Sequence, residues 1–138
     1  MTRAHAVRLV KALFAAHQTE SPGLNEKGFG GIMLTDADIY FEHQVAAGRL
    51  TCYGRIYEFL KDAEPRVLDA LQTEGLSLPH GFRVEYIPTT RRLFLTRTYD
   101  EAVDEKAFVE QMLELARTTA VWSREVLPRA FEADRTKK

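Results

Sequence analysis

The sequence predicts a single α+β domain, α-β-β-β-α-β-β-α, in which a mostly antiparallel sheet is packed by helices. Three observations predict it. Apolar side chains recur at helical spacing near both ends of the chain. Between them lie five short runs rich in β-branched and aromatic residues. Turn-forming residues separate those runs at short intervals. A chain of 138 residues suits one domain. It can bury roughly two-thirds of its unfolded surface, enough for one core.

Residues 3–17 carry Ala6, Leu9, Val10, Leu13 and Phe14 at helical spacing. Val7 and Phe14 widen this stripe to about 160°. A helix lying on one sheet buries less, so one apolar edge is expected to stay exposed. Residues 19–31 are rich in Ser, Pro, Gly and Asn and read as a loop. Strand-like runs follow at Gly31–Thr35 and Ile39–Val45, with Asp36-Ala37-Asp38 as the turn between them. In the second run Ile39, Phe41, His43 and Val45 alternate with Tyr40, Glu42 and Gln44, which marks a sheet with one buried and one wetter face. After Ala46-Ala47-Gly48, the alternation resumes with Leu50, Cys52, Gly54 and Ile56 against Thr51, Tyr53, Arg55 and Tyr57. Short turns join these three runs, so an antiparallel meander is expected.

Ala63–Glu74 reads as a short helix with Pro65 in its first turn and Gly75 as its stop. Residues 76–81 form a loop. Phe82–Ile87 and Leu93–Thr98 form a hairpin around residues 88–92, and Pro88 ends the first of these strands or places it at an edge. The last helix should run from about Asp100 to Leu127, where Pro128 stops it. The domain then spans residues 1–128, and 129–138 form a polar, frayed tail.

Composition excludes several classes of function. Nineteen basic against twenty acidic residues leave a net charge of −1, which gives no electrostatic case for nucleic acid. No run approaches 18 apolar residues, so no membrane span is expected, and the N-terminal residues do not form a secretory signal. Cys52 is the only cysteine, so no internal disulfide forms, which fits a cytoplasmic protein. Nothing points to catalysis, a metal or a cofactor. Asp36-Ala37-Asp38 has the composition of a plain turn. His5, His17, His43 and His80 show no ligand spacing. Cys52 alternates with Leu50 and Ile56 as a buried hydrophobe does. Gly28-Phe29-Gly30-Gly31 lacks the strand before and the helix after that a phosphate loop needs. Arg91-Arg92 reads as a solvated hairpin tip.

Local phrases in the same layout carry a resemblance. They are Asn25-Glu26-Lys27-Gly28, Gly31-Ile32-Met33-Leu34-Thr35-Asp36 with Ile39-Tyr40-Phe41-Glu42, Leu50-Thr51-Cys52-Tyr53-Gly54-Arg55-Ile56, and Val121-Trp122-Ser123-Arg124. Together they resemble the small cytoplasmic chaperones of type III secretion effectors, the Tir-chaperone (CesT-like) family, over roughly residues 4–128. The resemblance implies a non-catalytic homodimer. It would hold the N-terminal chaperone-binding segment of one or more effectors extended, and pass it to the secretion apparatus and its ATPase. Members are usually distinctly acidic, whereas this chain has a pI near 6.4.

An extended partner offers unpaired backbone groups and protruding apolar side chains, which a strand edge and adjacent pockets can take. Val7, Val10 and Phe14 are the expected pocket walls, with Tyr40, Tyr53 and Tyr57 on the wetter strand phase. The resemblance places self-association at Val67, Leu68, Leu71, Val84 and Tyr86. Two alternatives stand beside this reading. One is an adaptor or regulatory domain of similar, YbjN-like fold. The other is a small-ligand pocket protein.

Overall fold

The computed structural model describes residues 1–19 and 23–136. Its element order is the expected one: α1 (Arg3–Ala16), β1 (Phe29–Leu34), β2 (Ala37–Gln44), β3 (Arg49–Glu58), α2 (Pro65–Gly75), β4 (Arg83–Ile87), β5 (Arg92–Tyr99) and α3 (Glu105–Val121). The α1 N-terminus is fixed by Thr2, whose Oγ1 accepts from the His5 N–H at 3.2 Å. Asp104 does the same for α3 through the Ala107 N–H. The last helix therefore starts at Glu105, about five residues later than the periodicity suggested.

The five strands form one antiparallel sheet in the order β1-β2-β3-β5-β4. The first three are the expected meander. The β1–β2 turn is tighter than expected, at Thr35-Asp36, both with positive φ (44° and 65°). Such turns match the twist of a hairpin, and they free Ala37 and Asp38 to pair in β2. The final hairpin docks through β5 against β3, which leaves β4 at one edge, where Pro88 can end it.

Helices cover one sheet face. Ile32, Ile39, Phe41, Leu50, Cys52 and Leu95 point into it and are buried. The aromatic centre runs from Phe14 to Phe41 (6.4 Å), on to Phe108 (6.3 Å) and then Tyr99 (5.5 Å). Helix α3 lies close on the sheet at Gly54, where an added Cβ would stand 2.1 Å from Thr119 Oγ1.

Pro128 does not end the last helix. The backbone widens into a π turn over Trp122–Val126, in which the Leu127 N–H donates to the Trp122 carbonyl. A wide turn makes room for the proline ring, which in a regular helix would strike the carbonyl of residue 124. The chain then continues as α4 (Leu127–Thr136). The residues expected to fray instead pack: Ala130 is buried, and the Phe131 ring stands 5.9 Å from Phe59 and 6.1 Å from Tyr57. Residues 137 and 138 lie outside the described part, as do residues 20–22 of the loop after α1.

Candidate functional site

A partner can be held only by what the fold leaves unsatisfied, and the two sheet edges differ in that respect. Helix α2 covers part of the β4 edge: Gln72 Nε2 donates to the Val84 carbonyl at 3.3 Å, and Gly75 packs against the Val84 side chain. Among the described residues, the β1 edge is open beyond Phe29. Leu34 and Ala37 flank a two-residue turn, so Leu34, Ile32 and Gly30 turn their backbone groups toward β2. Phe29, Gly31 and Met33 then turn theirs outward. Asn25 takes those of Phe29, since its N–H donates to the Phe29 carbonyl and its Oδ1 accepts the Phe29 N–H. Among the described residues, no hydrogen bond reaches the outward groups of Gly31 or Met33.

The same alternation places the side chains of Phe29 and Met33 on the sheet face that no helix covers. Met33 is 69% exposed and Phe29 48%. Tyr40 and Tyr53 stand opposite one another across β2 and β3 on this face. Tyr53 meets the Phe94 ring edge-on at 5.4 Å. Phe29, Tyr40, Tyr53 and Phe94 line a shallow depression of about 230 Å³, with Ile87 and Arg92 at its rim. Rings in such pairs favour this edge-on geometry, and tyrosine adds a polar tip to an apolar body. Burial, and then the charges of Glu42 and Glu85, hold the Tyr53 phenol above its usual range, so it stays a hydrogen-bond donor. An unpaired strand edge bordered by aromatic side chains can accept an extended polypeptide by strand addition.

Of the residues expected at this surface, the structure brings Tyr40 and Tyr53 together and separates the rest. Tyr57 leaves their face because the β3–β5 register shifts between Arg55 and Tyr57. It packs on the helix side against Phe59 and Phe131. The expected open edge of α1 is covered. Val10 and Phe14 are buried and Val7 is half-buried, because α3 flanks the helix and the chain at Gly23–Leu24 folds back over Val10. Val10 and Phe14 are thus core residues and not walls of an open groove. Phe29, Met33 and Phe94 escaped the sequence reading. Phe94 alternates out of phase with Leu93 and Leu95, a signal that could have found it; Phe29 lay in the expected loop.

At the other end of the sheet, Val67, Leu71 and Val84 lie inside the subunit, because α4 and β4 pack on α2. Leu68 and Tyr86 are half-buried, and the Tyr86 hydroxyl accepts from the Ala63 N–H. Leu76, just past α2, is 87% exposed.

The Cys52 thiol is fully buried, and that burial pushes its pKa far up, so it stays protonated and unreactive. Among the described residues, no cluster of His, Cys, Asp or Glu has the makings of a metal site, and no helix is long and apolar enough to cross a membrane.

No protein-family model and no curated protein matches the chain. Solved structures do. A chain of the ExsC–ExsE complex superposes with a TM-score of 0.71 at 12% identity, covering 91% of this chain and 96% of that one. A chain of the HopA1–SchA chaperone–effector complex gives 0.63 at 11% identity, over 89% and 98%. A chain of the ExoT–SpcS complex from Pseudomonas aeruginosa gives 0.59 at 13%, over 87% and 97%. At these identities the likeness establishes a shared fold over nearly the full length of both partners in each comparison.

Proposed function

We propose that this chain is a non-catalytic, homodimeric cytoplasmic chaperone of type III secretion. It binds the N-terminal chaperone-binding segment of one or more effectors and keeps that segment extended. The observation that carries the reading is the open β1 edge beside the aromatic face, in a fold shared with a chain from a chaperone–effector complex. The outward groups of Gly31 and Met33 would pair with the effector backbone, and apolar anchors would settle among Phe29, Tyr40, Tyr53 and Phe94. Self-association would use Leu68, Tyr86 and the exposed Leu76. The buried Val67, Leu71 and Val84 shape that region from beneath. The secretion ATPase would receive the loaded complex.

The test is co-purification of the tagged chain from its native cell, with the mass measured by light scattering. The proposal expects two copies of this chain with one larger protein, bound through that protein's N-terminal region. A lone monomer without a polypeptide partner contradicts it. Tyr53→Asp, at a half-buried position on the uncovered face, should leave the fold intact and weaken capture about ten-fold or more, as the loss of an interface aromatic does.

A further inference from the structure

A second feature lies at the β5 edge of the sheet, away from the aromatic depression. Strand β4 pairs with β5 only as far as Arg83 opposite Thr96. Beyond that point the β5 edge is bare, and the chain arrives at β4 through His80 and Gly81, both at positive φ. The Arg97 side chain wraps this bare edge. Its guanidinium lies 4.1 Å over the Tyr99 ring and donates to the Thr98 carbonyl. Its Nε is buried with no hydrogen-bond partner among the described residues. Arg49, Arg83, Thr96 and Thr98 join Arg97, Gly81 and Asp100 around a cavity of about 430 Å³, within the size range of small-ligand sites. Three arginines and one aspartate thus line it. Asp100 is held 3.5 Å from Arg49, and Arg83 has no described ion pair.

We infer that this corner is a binding site for a compact polyanion of the diphosphate class. Like charges gathered around one concavity repel one another unless an anion sits among them. Each guanidinium presents a planar fork that takes two oxygens of a phosphate. Arg97 is turned onto Tyr99 and the Thr98 carbonyl, so Arg49 and Arg83 supply the forks; together they offer more donors than a single carboxylate has oxygens to fill, whereas a diphosphate fills them. The Thr96 and Thr98 hydroxyls add uncharged donors. The lining includes no aromatic side chain to stack a base, so the site reads phosphate groups and not a nucleobase. The inference is independent of the secretion reading, because none of these residues borders the β1 edge.

The experiment is a titration of the purified chain with inorganic pyrophosphate at constant ionic strength. Binding is read by calorimetry and by the amide resonances of Gly81, Thr96 and Thr98. Saturable binding that shifts those resonances is expected. Arg83→Gln, at an exposed position, should fold normally and lose about ten-fold or more in affinity, as removal of a charge-assisted fork does. No saturable binding, or equal binding by Arg83→Gln, would overturn the inference. A hexaglutamate peptide that bound the site more tightly than pyrophosphate would also overturn it, by assigning the corner to an acidic polypeptide.

Discussion

Gly54 sets how closely α3 can approach the sheet. Its missing side chain is replaced by Thr119, whose Oγ1, Cβ and Cγ2 would lie 2.1, 3.1 and 3.2 Å from an added Cβ. Gly54→Ala should therefore destabilise the fold by about 1–3 kcal/mol, the usual cost of overpacking. Adding Thr119→Ala should recover part of that loss, a non-additive result that urea unfolding of the four variants would display. Burial also holds Cys52, Tyr53 and Tyr99 protonated, each above its ordinary range. Groups raised in the folded state stabilise it fully below their unfolded values, and that stability is lost as pH rises past them. The urea midpoint should thus fall above roughly pH 8.5–10, where free thiols and phenols ionise. Cys52→Ala should delay the onset; a midpoint that rose with pH across this range would contradict the account. At this scale the alternation in the sequence was enough to place Tyr40, Tyr53 and the buried His43 correctly. It failed for Tyr57 because a register shift obeys the β3–β5 pairing, which no local pattern encodes. It failed for Val10 because the chain at Gly23 returns over it, and for Phe14 because Phe41 of β2 packs on its ring; both contacts join residues far apart in sequence.

Strand β1 presents outward backbone groups that its own hairpin does not need. Proline is tolerated where the replaced N–H faces away from the ladder. Met33→Pro should therefore leave stability within about 1 kcal/mol of the parent while weakening capture of an extended polypeptide ten-fold or more, since the strand-pairing donor is gone. Unchanged capture in a binding assay would place the partner elsewhere. Helix α4 makes the opposite case, an element whose worth lies inside the subunit. It covers α2 through Ala130 and meets Tyr57 and Phe59 through Phe131. Ending the chain at Leu127 should lower stability by several kcal/mol, because Val67 and Leu71 lose their cover, as large-to-small core changes do at about 2–5 kcal/mol each. Thermal unfolding followed by circular dichroism would read this loss; an unchanged midpoint would mean that α4 is dispensable. Pro128 explains why the sequence suggested a stop. Proline is the strongest helix breaker by local rules, and only the π turn before it lets the helix continue.

The order of helices and strands in the whole molecule follows from hydrophobic period and turn chemistry. The dense alternation of β2 and β3 and the apolar periodicity of α1 and α3 made that order legible. The exchange of β4 and β5 at the sheet's far side was not legible, because strand order depends on which hairpin arm finds the deeper partner, and Leu93 and Leu95 bury more completely than Val84. The consequence for function is an asymmetric sheet, with one edge partly covered by α2 and the other, among the described residues, open beside an aromatic face. The most direct test of that account is backbone amide hydrogen exchange on the chain isolated with its bound polypeptide, compared with the free chain. The Gly31 and Met33 amides should exchange freely alone and become protected in the complex, together with the protons of Tyr40 and Tyr53 shifting in parallel spectra. If those two amides exchange alike in both states while protection appears on another surface, strand addition at β1 is wrong.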